Sequence, residues 1–92
     1  MEELFREWLE ASKKLSDSSI GKYTRAIRAI TKDMLSEGVI SKDLFNITSS
    51  VEFDTVMKII LSNNFFFKKD TRGNRMYSVA MNHYYEFLES RE

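Results

Sequence analysis

No proline occurs in this chain, and glycine occurs only at Gly21, Gly38 and Gly73. Proline removes a helical hydrogen bond and glycine is costly to order, so their scarcity leaves long helical stretches uninterrupted. The spacing of apolar residues then divides the chain. Leu4, Phe5, Trp8, Leu9 and Leu15 make a stripe on one face of a helix from about Glu2 to Lys14. Ser16 can cap a second helix from about Asp17 to Glu37, in which Ile20, Tyr23, Ile27, Ile30 and Met34 step by three and four, and Gly38 supplies the stop. A short third helix is expected from Ser41 to Phe45, with Ser41 as N-cap and Asp43 in the first turn. Ser49 and Glu52 form a capping box ahead of Phe53, Val56, Met57 and Ile60, which predicts a fourth helix ending near Ser62.

Between Asn63 and Asn74 the helical pattern lapses. Asp70-Thr71-Arg72-Gly73 reads as a turn, because Asp and Gly accept the backbone angles a turn requires. Phe65-Phe66-Phe67 has strand propensity, which allows a short hairpin with Arg75 to Tyr77. A last helix, about Asn74 to Ser90, carries Tyr77, Ala80, Tyr84, Phe87 and Leu88 on one face. The fold class is therefore all-α, a compact bundle of about five helices with one optional hairpin near 65–77 and no internal linker. Its 92 residues suit a single helical domain over 1–92.

The apolar runs fall far short of the ~20 residues a membrane span needs. Met1 is followed by Glu2 and Glu3 rather than a basic and then apolar stretch, so no signal peptide is expected and the chain reads as cytoplasmic, with no membrane partner. The absence of Cys excludes disulfides and thiolate zinc sites.

The formal net charge is zero, but it is zero by cancellation between zones. Lys13, Lys14, Lys22, Arg25, Arg28 and Lys32 face the single acid Asp17, and Lys68, Lys69, Arg72 and Arg75 face Asp70. Acids dominate residues 2–10, 33–58 and the tail from Glu86. A locally basic patch on a neutral chain can attract a polyanion while the remaining surface discourages indiscriminate binding.

Placed at 100° per residue with Ile20 at zero, the apolar stripe of the second helix lies between about 280° and 360°, and Arg28, Lys32, Arg25 and Lys22 at about 80°, 120°, 140° and 200°. An ordinary solvated face alternates acids with bases for i, i+4 support, whereas this one has four bases with only Asp33 nearby. Guanidinium forks match phosphate oxygens, so phosphate contact is the natural use of Lys22, Arg25, Arg28 and Lys32. The second basic zone, Lys68, Lys69, Arg72 and Arg75, follows the three phenylalanines and can reach along a duplex backbone. Aromatics beside bases can also stack on unpaired bases, but three adjacent Phe cannot all point one way, so at least one belongs to the core. His83 lies at the edge of the last helix's apolar stripe, where a boundary histidine satisfying a hydrogen bond is expected rather than a general base. No second His and no Cys accompany it for a metal site, and no phosphate-cradling glycine loop or nucleophile elbow is present. No catalytic residue, metal or cofactor is expected.

Phe5-Arg6-Glu7-Trp8-Leu9, then Leu15-Ser16 and Ser19-Ile20-Gly21-Lys22-Tyr23-Thr24-Arg25-Ala26-Ile27, resembles the opening of SAM-like helical domains. These occur as core-binding domains of phage-integrase-type tyrosine recombinases and as N-terminal modules of McrB-like restriction proteins. The run from Gly73-Asn74-Arg75-Met76-Tyr77-Ser78 to Phe87-Leu88 is similar to the phrase that closes such modules. The resemblance implies a DNA-contacting accessory domain followed by a catalytic or motor domain, of which neither an Arg/His/Tyr recombinase set nor a P-loop is found here. Recombinase core-binding domains are usually strongly basic. The neutrality of this chain therefore favours a restriction-type recognition module, or a protein contact, over a clamp.

The leading reading is a non-catalytic module that binds duplex DNA through the backbone with Lys22, Arg25, Arg28, Lys32, Lys68, Lys69, Arg72 and Arg75. Were a modified base the target, exposed members of Phe65 to Phe67, or Tyr85, would be candidates for a flipped-base pocket. The competing readings are a protein-interaction domain, meeting a partner through its acidic terminal helices or an exposed aromatic patch, and a small phage-type inhibitor of a nucleic-acid enzyme.

Overall fold

The computed structural model describes residues 1–92. Five α-helices follow one another: α1 (Glu2–Lys13), α2 (Asp17–Ser36), α3 (Ser50–Leu61), α4 (Asn64–Arg72) and α5 (Met76–Ser90), with a 3-10 turn, Leu44–Asn46, between α2 and α3. No strand is formed, and no helix is long and apolar enough to cross a membrane. The expected stops and starts operate at α2. Ser16 Oγ accepts the Ser19 N–H at 3.3 Å, and Gly38, at φ 70°, lets the Val39 N–H reach back to the Met34 carbonyl at 2.9 Å.

One cluster of 19 buried apolar residues joins all five helices and the 3-10 turn. α2 contributes Ile20, Ala26, Ile27, Ile30 and Met34 and packs chiefly against α5 and α1. At the centre, the Tyr84 ring of α5 lies 5.2 Å from Phe5, 5.5 Å from Phe45, 4.9 Å from Phe53 and 5.6 Å from Phe87, in edge-on and tilted geometries that aromatic quadrupoles favour. Its hydroxyl donates to the Ile47 carbonyl at 2.9 Å, so the polar atom is satisfied, and burial pushes the phenol pKa upward. The radius of gyration is 12.3 Å, the value a compact chain of this length should have (about 12 Å), and the molecule is a slab of 33 × 28 × 16 Å.

Five expectations are corrected. The third helix starts later than Ser41. It is the 3-10 turn at Leu44, capped by Asp43, whose Oδ1 accepts the Phe45 N–H at 2.8 Å, and held by the Leu44 N–H donating to Thr31 Oγ1 at 3.2 Å. The Ser49–Glu52 box is half formed. Ser49 caps Glu52 at 3.3 Å, but the Glu52 carboxylate turns away to Lys42 at 2.7 Å.

The largest correction lies at 64–72, where α4 replaces both the loop and the hairpin with Arg75 to Tyr77. Asn63 Oδ1 accepts the Phe66 N–H at 3.0 Å and starts the helix. Phe66 and Asp70, at helical spacing, are its two buried residues. The turn therefore comes later than Asp70–Gly73: Gly73 has an ordinary φ of −90°, while Asn74 and Arg75 take the left-handed conformation at 54° and 64°. The last helix consequently begins at Met76 rather than Asn74.

Candidate nucleic-acid interface

α2 carries its small residues Ala26 and Ala29 beside its basic ones, and the start of α5 packs there. The result is a groove of about 300 Å³ lined by Lys22, Arg25, Ala26, Ala29, Met76 and Tyr77. Lys22, Arg25 and Lys32 are exposed, as the helical angles predict. Tyr77 is the junction between the two basic zones. It borders the α2 groove, a Cβ on Gly73 would sit 3.1 Å from its Cε2, and Lys69 of α4 lies 5.3 Å from its ring centroid. Lys69 also pairs with Asp33 of α2 at 2.6 Å, which ties the two helices together directly.

The eight candidate cations fall into two groups. Arg28 is held by Glu2 through a two-point contact, with Nε 2.9 Å from Oε1, and that carboxylate raises the guanidinium pKa further. Lys69 is neutralised by Asp33. Lys22, Arg25, Lys32, Lys68, Arg72 and Arg75 form no ion pair. Elsewhere only Lys14 and Arg91 lack one, because Arg6, Lys13, Lys42 and Lys58 are paired with Glu3, Glu86, Glu52 and Asp54. Uncompensated positive charge is therefore concentrated on α2 and on α4 with the turn after it. Glu2 marks its limit on the α1 side, and Glu7, Glu10 and Ala11 line an acidic hollow further along α1.

The Phe65 to Phe67 triplet divides as a helix dictates. Phe66 is buried, whereas Phe65 and Phe67 are 48% and 57% exposed on the flanks of α4. Lys68, Thr71 and Arg72 join Phe67 around a shallow hollow of about 370 Å³.

His83 departs from expectation: its Nδ1 is buried and has no hydrogen-bond partner. The ring meets Tyr23 edge-on at 4.9 Å, and Lys22 Nζ sits 5.0 Å over Tyr23. Burial lowers the imidazole pKa, Glu86 opposes that shift and Lys13 adds to it.

Sequence reasoning missed Tyr77, whose only signal was the core-like periodicity of the last helix, and Ala26 and Ala29, which at about 240° and 180° fall outside the apolar stripe of α2 and carry no charge. It also missed Asp70, whose buried carboxylate accepts the Ser78 N–H at 3.0 Å and caps α5 from outside.

A family model described as phage integrase SAM-like domain matches residues 1–56, which take in α1, α2 and the start of α3. No curated protein and no solved structure matches the chain.

Proposed function

The chain belongs to the phage integrase SAM-like domain family, and we propose on that premise that it is a recombinase-type accessory domain that holds duplex DNA by its backbone and performs no catalysis of its own. Lys22, Arg25 and Lys32 of α2, with Lys68, Arg72 and Arg75, make the phosphate contacts. The carrying observation is that these six cations have no acidic partner while most others in the molecule do. Phosphates replace no existing ion pair at these positions, so each contact releases counterions at little internal cost. Arg28 and Lys69 reach DNA only by leaving Glu2 and Asp33, which makes them secondary.

The matched family favours the recombinase-type reading over the restriction-type one, for which chain neutrality is the sole support. Neutrality itself implies modest affinity, as suits a domain whose binding adds to that of another module. A protein contact is the second reading, favoured by the exposed Val51 and Ile59 on α3.

Salt titration against a mixed-sequence duplex tests the proposal. Log affinity should fall with log salt at a slope near −0.9 per phosphate, and Lys22→Ala with Arg25→Ala should flatten it by about two phosphates' worth. Absence of binding at low salt would overturn it.

A further inference from the structure

The outward side of α4 carries an exposed aromatic ring that duplex backbone contact leaves unused. Phe67 is more than half exposed, yet it is flanked by Lys68 and Arg72, neither of them ion-paired, and the hollow among these three and Thr71 contains no acid. The sole carboxylate of α4, Asp70, points into the core and is occupied by the Ser78 N–H. Rows i, i+4 on a helix run side by side, so the ring of Phe67 stands in one row with Thr71, and the cations of Lys68 and Arg72 form the next. An apolar ring beside two free cations complements a ligand with a flat π face joined to phosphates. An apolar protein segment would leave those two cations desolvated and unpaired.

Extending the DNA-binding reading on which it rests, we propose that this hollow takes an unpaired nucleobase, stacked on Phe67, with the neighbouring phosphates held by Lys68 and Arg72. Stacking needs no particular base, so the site reads single-stranded character rather than sequence. The domain would thus distinguish opened or branched DNA from intact duplex: the α2 cations stay on the paired part, while Lys68 and Arg72, which contact the duplex backbone when no tail is present, hold the phosphates of the unpaired part.

The test compares a blunt duplex with the same duplex bearing an unpaired tail that contains a fluorescent purine, for wild type and for Phe67→Ala, Phe67→Leu and Phe67→Trp. Phe67 is exposed, and equal melting temperatures establish that the variants fold. Phe67→Ala and Phe67→Leu should each weaken tailed-DNA binding about tenfold or more and lose the fluorescence change, Phe67→Trp should retain both, and all should bind blunt duplex as wild type does. Phe67→Leu binding like wild type would overturn the proposal and assign the face to an apolar contact such as a protein makes. Equal effects on both DNAs, or none on either, overturn it and leave the duplex reading standing. Phe67-dependent binding of tailed DNA without any binding of blunt duplex supports it and overturns the duplex reading instead. Binding to neither DNA overturns both.

Discussion

Asp70 and Ser78, on successive helices, are joined by a 3.0 Å hydrogen bond from the Ser78 backbone N–H to the Asp70 carboxylate, across a turn in which Asn74 and Arg75 both have positive φ. The N-cap position of α5 is Arg75, whose side chain accepts nothing, so a residue of the preceding helix supplies the missing acceptor. Asp70→Ala should therefore destabilise the fold by about 1 kcal/mol or somewhat more, since it leaves an N–H without its partner. In a domain of this size that is a drop of roughly 4–8 °C in melting temperature, and Asp70→Asn, which keeps an acceptor oxygen, should recover most of it.

Arg75 separates stability from binding. Its φ of 64° is strained for a residue with a Cβ. Arg75→Gly should leave stability unchanged or raise it by up to ~1 kcal/mol. On the proposed DNA-binding reading the same change removes one phosphate contact, so thermal melting should hold while the salt slope of DNA binding falls by about 0.9.

Glu2 restrains the basic face. Glu2→Gln removes an acid at its edge and frees Arg28, and the predicted result is tighter DNA binding with a salt slope steeper by about one phosphate's 0.9. Arg28→Ala in the wild-type background should change the slope little. The contrast between these two variants checks the assignment of Arg28 as a secondary contact.

Much of this was legible in the sequence because it depends on local spacing. Of the stripe Ile20, Tyr23, Ile27, Ile30 and Met34 all are buried except the half-buried Tyr23, and Lys22, Arg25, Arg28 and Lys32 are exposed, as helical angles require. α4 was hidden because three consecutive phenylalanines carry no period, and because only Phe66 and Asp70 face inward. Which cations are neutralised was hidden for another reason. Glu2 lies 26 residues from Arg28, and Asp33 lies 36 from Lys69, so those pairings are set by tertiary neighbours and not by local pattern.

Acid should loosen the molecule through His83. Burial holds its folded pKa below the ~6.5 of a free imidazole. The unfolded chain then binds the proton more readily, so the stability from neutral His83 is complete above ~6.5 and is lost as pH falls through that value toward the folded pKa. Glu86, which favours the charged ring, limits the effect, and Lys13 enlarges it. Melting curves across this pH range should fall more steeply for wild type than for His83→Gln.

α4 is tied to the rest of the fold through the buried Phe66 ring, the Asp70 cap, the Lys69–Asp33 pair and the contact of Lys69 with Tyr77, and takes no part in the ring cluster around Tyr84. Segments with few buried contacts open at a smaller free energy than the global one, so the amides of α4 should exchange with solvent water well before those of α2 and α5. On the proposed reading, the helix with Phe67 and Arg72 on its outer side is thus the one expected to open first where an irregular ligand would bind. Slowed exchange confined to α4 would report occupancy of that face.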